Sequence, residues 1–207
     1  SVLLWLIFFI NRPEKKIARK DFGRLILCAL SGVVINQLLF IKGLSMTYST
    51  HASLLILCTP ILITVAAFFI LKEKLSWIRM AGLVTGIAGA GWLITSGENN
   101  GSGSDILLGD LLVVLNAVSY SFYFVLAKPL LLKYSSLQIM RWVFTIGSFI
   151  IIPIGWQEFT DISWERFTAI EYSALLFVVL GATFMAYLLN IYGLQYLNAS
   201  STGSYIY

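Results

Sequence analysis

Charge is what this sequence has least of. Only 12% of its 207 residues are charged, and histidine occurs once, as His51. Cysteine occurs twice, as Cys28 and Cys58, each inside an apolar run. There is no disulfide framework and no Cys/His spacing for a metal, so both cysteines read as small buried hydrophobes. The ten acidic residues are scattered, and none lies deep in an apolar run. A membrane-embedded enzyme would need an acid–base pair, a nucleophile or a metal cluster. We find none, so no catalytic residue, no metal and no cofactor is expected, and no acid stands out as a proton-coupling group.

What is present is apolar length. Hydrophobic residues make up 58% of the chain, and the mean hydropathy is +0.86. Ala52–Leu71 carries no charge, and Pro60 sits near its middle. As a helix at about 1.5 Å per residue it is about 30 Å long, the thickness of a bilayer's hydrocarbon core. Proline there suits a membrane bundle, where neighbours or cavity water satisfy the carbonyl it frees. Further spans are expected at Leu25–Met46, Met80–Ser96, Ile106–Ala127, Trp142–Trp156 and Tyr172–Leu197. Val2–Ile10 reads as the tail of one more, and Asn198–Tyr207 as the start of another. The class is therefore an all-α integral membrane protein. Gly82 and Gly86 have the small-xxx-small spacing that lets another helix approach closely.

The basic residues decide orientation. With alternating loops, one side holds 11–24, 72–79 and 128–141, carrying six, three and three Lys/Arg of the fourteen in the chain. The other side holds 47–51, 97–105 and 157–171, with Arg166 alone and most of the acids. Such a bias places the first side in the cytoplasm and the chain in the cytoplasmic (inner) membrane. The net charge of +4 thus reports topology, and nucleic acid is not an expected partner. The Gly/Ser-rich stretch 97–105 divides the chain into halves 1–96 and 106–207.

The halves share a pattern. Leu38-Leu39-Phe40-Ile41-Lys42-Gly43-Leu44 matches Leu188-Leu189-Asn190-Ile191-Tyr192-Gly193-Leu194 at an offset of 150. Coincidence between two apolar, Gly-containing segments is the competing explanation. The loop assignment speaks against it, because the two copies point opposite ways, as in many secondary transporters. Phe40–Leu54, Thr59-Pro60-Ile61 and Leu71–Ser76 together resemble the first EamA domain of the drug/metabolite transporter superfamily. Gly109–Leu112, Tyr120 and Lys128-Pro129-Leu130 are similar to the opening helix of the second, and 187–207 to its later helices. The resemblance implies ten helices as two inverted five-helix repeats with both termini cytoplasmic. On that pattern this stretch lacks the first helix, most of the ninth and the tenth. It also implies export of small metabolites such as amino acids by alternating access. A coupling proton or ion and a homodimer stay open. A non-transporting scaffold or receptor is the alternative, which the inverted repeat and the polar stripe disfavour.

A carrier needs polar groups facing a path near mid-membrane. Asn116, Ser119, Tyr120 and Tyr123 fall at i, i+3, i+4 and i+7 and share one helix face. Asn36 and Gln37 lie within one span, and Tyr187 and Asn190 within the matching one. Each of these suits either cavity lining or hydrogen bonding between helices. Lys42, inside a span, would bind a substrate carboxylate or snorkel to the interface. Arg141 reads as an orientation anchor or a substrate-facing charge. Glu73, between Lys72 and Lys74, reads as a loop ion pair, and His51 as a solvated turn residue. Pro60 and the Gly82/Gly86 face would permit bending and sliding.

Overall fold

The structure, a computed structural model, describes residues 3–6, 16–74, 77–96 and 105–205, with no strand among them. Its helices in chain order are α1 (Arg19–Leu44), α2 (Ser49–Leu71), α3 (Trp77–Ser96), α4 (Ile106–Leu131), α5 (Ser136–Ile154), α6 (Trp156–Thr160), α7 (Ala169–Tyr196) and α8 (Ala199–Gly203). Helices α1, α2, α4, α5 and α7 are long and apolar enough to cross a bilayer. The chain is thus an all-α, multi-pass membrane protein. Much of the expected span tail Val2–Ile10 and nearly all of the divider 97–105 lie outside the described residues. Of the loop expected over 11–24, residues 16–24 are described, and α1 already begins there at Arg19, six residues before the expected Leu25.

Side chains set several helix starts. The Asp105 carboxylate accepts from the Leu108 amide, and Ser135 Oγ from the Gln138 amide. At the head of α7, Thr168 and Glu171 form a reciprocal capping box. Each satisfies amides that the first turn leaves without helical partners.

Two further bounds differ from expectation. Helix α4 runs through Pro129 to Leu131, and α5 begins at Ser136, so the loop expected over 128–141 shrinks to the turn at 132–135. Pro129 removes one backbone donor, but Leu130 and Leu131 are buried beyond it and keep the helix in register. On α5, Ile139, Met140 and Arg141 are buried, so the helix starts as soon as Ser135 caps it.

Pro60 bends α2 as its position implies. The helix breaks at Leu57–Cys58 and resumes at Thr59–Ala66. Proline cannot donate to the Ile56 carbonyl, and the Thr59 hydroxyl donates to it instead at 2.6 Å. The span closes on a wider π-helical turn, Ala67–Leu71, and on Lys72 in the left-handed region at φ 57°.

The bundle is arranged around α4, which packs against α1, α2, α5, α7 and α8. Its buried residues mix small and polar ones, Gly109, Asn116, Ala117, Ser119, Ser121 and Ala127, with large apolar and aromatic ones, Val113, Tyr123, Phe124, Val125, Leu130 and Leu131. Many further large apolar residues face outward, among them Leu107, Phe149, Phe69 and Phe177. An apolar exterior suits lipid, where close backbone approach and polar contacts help hold helices together. The tightest approaches occur at glycines. A Cβ on Gly109 would lie 2.7 Å from the Thr47 amide nitrogen and 2.9 Å from the Gly43 carbonyl oxygen. A Cβ on Gly32 would lie 2.5 Å from the Tyr123 ring.

The expected Gly82/Gly86 face meets no close partner among the described residues. A Cβ at Gly82 meets nothing within 4 Å, and at Gly86 only Ile61 Cδ1 at 4.0 Å. Among the described residues, the close crossings are made by Gly32, Gly43, Gly109 and Gly147, where a partner helix supplies backbone, a ring or, at Gly147, the Val33 side chain at contact distance.

Candidate functional site

The stripe on α4 faces α1 and α7, and the three helices gather a polar and aromatic cluster at mid-bundle. Asn36 and Asn116 pair reciprocally: Asn116 Nδ2 donates to the Asn36 carbonyl at 2.7 Å, and Asn36 Nδ2 to the Asn116 carbonyl at 3.4 Å. Ser119 Oγ donates to the Ser31 carbonyl at 2.8 Å. From α7, Tyr187 Oη donates to the Gly32 carbonyl at 2.9 Å and lies 3.3 Å from Asn36 Oδ1. The Gln37 side chain also interacts with Tyr187. Asn190 Nδ2 donates to Tyr120 Oη at 3.4 Å.

Carbonyls of α1 accept Ser119 and Tyr187 for a local reason. Leu30–Val34 is π-helical, which loosens the backbone ladder around Ser31 and Gly32. A similar widening, Val178–Met185, precedes Tyr187 on α7. The two occupy nearly equivalent positions at the offset of 150.

Aromatic rings fill the rest. Tyr120 stands edge-on to Tyr187 at 5.9 Å between centroids, and Phe144 edge-on to Tyr187 at 5.2 Å. Tyr123 lies 5.7 Å from Tyr120 and 6.3 Å from Tyr187. Tyr123 is 1% exposed, and its hydroxyl meets no hydrogen-bond partner among the described residues. A buried hydroxyl with nothing to bond costs about 1–3 kcal/mol. The cluster holds amides, hydroxyls and rings, and no charged side chain.

Eight sequence candidates therefore come together: Asn36, Gln37, Asn116, Ser119, Tyr120, Tyr123, Tyr187 and Asn190. Several of them bond between helices, one of the two uses considered for them. Lys42 stands apart, exposed in the last turn of α1, two residues before the helix ends. Arg141 is buried on α5, its guanidinium 4.5 Å above the Trp5 ring. An open groove of about 420 Å³ runs between α1 and α4 beside Ser31 and Ser119. Its other walls, including Leu27, Ile35, Leu115 and Phe122, offer a polar solute nothing to bond to.

Two charged contacts were not expected. His51 is buried, not solvated: its Nδ1 lies 3.1 Å from Asp110 Oδ2, and the Thr47 hydroxyl donates to Asp110 Oδ1. Glu73 does not pair with its neighbouring lysines. Its carboxylate accepts from the Ala199 and Ser200 amides at 2.9 and 3.2 Å and from Ser200 Oγ. A helix start leaves amides without partners, and a carboxylate answers them. That appetite of Ala199 and Ser200 was the available signal. On the same side, Lys133 Nζ reaches the Asp21 carboxylate at 3.0 Å, and Tyr134 Oη donates to it at 2.9 Å.

The family model described as "EamA-like transporter family" matches residues 1–95 and again 107–207. The uncharacterized transporter YetK of Bacillus subtilis is 25% identical over 203 residues, covering 98% of this chain and 62% of its own length. An uncharacterized transporter of Archaeoglobus fulgidus is 26% identical over 207 residues, covering 100% of this chain and 71% of its own length. A probable terminal-alkyne amino-acid exporter of Streptantibioticus cattleyicolor is 26% identical over 145 residues, covering 70% of this chain and 46% of its own length. The chain thus spans less than two thirds of YetK. No solved structure matches it.

Proposed function

Because this chain belongs to the EamA-like transporter family, we propose that it forms the solute path of a carrier that moves small organic metabolites out of the cell by alternating access. The observation that carries this reading is the uncharged cluster between α1, α4 and α7. It places three tyrosine rings beside amides, and it leaves the Tyr123 hydroxyl without a partner among the described residues. Rings offer stacking surface, and amides and hydroxyls offer directed bonds, which suits amino acids and related solutes. The outward direction rests on the relative named as an amino-acid exporter.

The halves 1–96 and 106–207, joined by 97–105, act as two units of inverted topology. The twofold family match supports this, as does the recurrence of the π-helical widening before each Leu-Leu-x-Ile-x-Gly-Leu segment. So does the placement of the two interhelical turns. The α1–α2 turn meets Asp110 near one end of α4, and the α7–α8 turn meets Lys128 near the other. Those residues lie about 27 Å apart along the helix at 1.5 Å per residue. The Lys/Arg-rich segments 11–24, 72–79 and 128–141 then face the cytoplasm across the inner membrane.

Proteoliposomes loaded with a panel of amino acids and related metabolites test the proposal. The carrier should release at least one solute faster than protein-free vesicles, with saturation. No release across amino acids, organic acids and nucleosides would remove the carrier reading and favour a non-transporting scaffold.

A further inference from the structure

The two unexpected carboxylates share a geometry. Helix α4 stands between two helix–turn–helix units. At its start, Asp110 binds Thr47 and His51 of the α1–α2 unit, and the Asp105 amide donates to the Met46 carbonyl. At its other end, Lys128 Nζ donates to the Leu194 and Leu197 carbonyls of the α7–α8 unit. Glu73, just past the end of α2, holds the same unit through Ala199 and Ser200. The two units carry the matched segments of the repeat, so equivalent turns are each fastened by a carboxylate, Asp110 from the start of α4 and Glu73 from just past the end of α2.

A path that opens alternately must break contacts at one end while keeping those at the other. Packed helix interfaces are bistable, so a few strong polar contacts at each end can set which state is populated. Bonds to an ionised carboxylate are the strong ones, roughly twice as strong as neutral pairs. The small-residue contacts nearby, Gly43 on Gly109 and Gly203 on Ile63, give each interface a close-packed surface to separate from and return to.

We propose that Asp110 and Glu73 are opposing latches. Asp110 holds the α1–α2 turn closed over one end of the path, and Glu73 holds the α7–α8 turn closed over the other. Both are positioning residues: neither touches the solute, and each sets how often its own side is open. The inference rests on the carrier reading above.

The test is transport kinetics measured from each face of proteoliposomes holding the carrier in one orientation. Apparent affinity on a face scales with the fraction of carriers open to it. Asp110→Asn should lower the half-saturation concentration on the Asp110 face and raise it on the Glu73 face. The ratio between faces should shift about tenfold or more, the equilibrium weight of one or two bonds to a charged group. Glu73→Gln should shift the same ratio about tenfold the other way, and the double variant should return toward the parent value. Thr47→Val and Ser200→Ala each delete one bond, should shift the ratio about threefold in the corresponding directions, and serve if either carboxylate variant fails to fold. General destabilisation would move both faces alike. Shifts of the same sign, or ratios within about twofold of the parent throughout, would overturn the latches while leaving the carrier intact. Absence of flux in the unmodified protein would instead overturn the carrier reading, and the latches with it.

Discussion

Gly109→Val should cost this protein about 3 kcal/mol, the upper end of what overpacking costs. The new Cβ would sit 2.7 Å from the Thr47 amide nitrogen and 2.8 Å from Thr47 Cβ. Both belong to a turn whose backbone is already bonded to Gly43. Relief requires α4 to move away from the α1–α2 turn, because a backbone atom cannot rotate aside as a side-chain tip can. That motion would also pull the neighbouring Asp110 from Thr47 and His51. Gly82→Val is the matched control, since a Cβ there meets nothing within 4 Å. In detergent, thermal unfolding followed by size-exclusion should drop by about 10 °C for Gly109→Val and stay unchanged for Gly82→Val. Equal shifts would mean that the crossing at Gly43 and Gly109 does not hold the bundle together.

Tyr123 gives the second large effect, and two substitutions separate its roles. The ring lies on Gly32, beside Tyr120, Phe124 and Tyr187, with 1% of the residue exposed. Tyr123→Ala empties that space and should cost about 3–5 kcal/mol, as for other buried aromatic rings. Tyr123→Phe keeps the ring and removes a buried hydroxyl for which no protein partner is found among the described residues. Stability should hold, or rise by up to about 1 kcal/mol. Transport should behave otherwise. If the hydroxyl bonds the solute, Tyr123→Phe should weaken apparent affinity about fivefold, the weight of one neutral hydrogen bond. A stable Tyr123→Phe carrier with unchanged kinetics would remove that oxygen from the solute path.

What could be read from the sequence was periodic or local. Helical spacing put Asn116, Ser119, Tyr120 and Tyr123 on one face, and the structure turns that face to α1 and α7. Pro60 announced a bend because the missing amide is a property of the residue itself. What could not be read depended on partners far along the chain. Nothing near Glu73 points to Ala199 and Ser200, whereas Lys72 and Lys74 beside it offer an obvious local pair. His51 looked like a solvated turn residue because Asp110, 59 positions away, is needed to explain its burial. The glycines show the same limit. Gly82 and Gly86 have the spacing of a packing face, but among the described residues the close crossings are seen at Gly32, Gly43 and Gly109, where the opposing helix supplies atoms at contact distance. Spacing defines a face, and only the neighbour decides whether it is used.

The account stands or falls on the α1–α2 and α7–α8 turns lying on opposite sides of the bilayer. Thr50 and Leu197 are exposed beside those turns. With Cys28 and Cys58 replaced by alanine, single cysteines at 50 and 197 can be probed in intact cells with a membrane-impermeant thiol reagent. Labelling of position 50 from outside, and of position 197 only after the membrane is opened, is the predicted result. Labelling of both from the same face would contradict the inverted arrangement, and with it the solute path between the two halves.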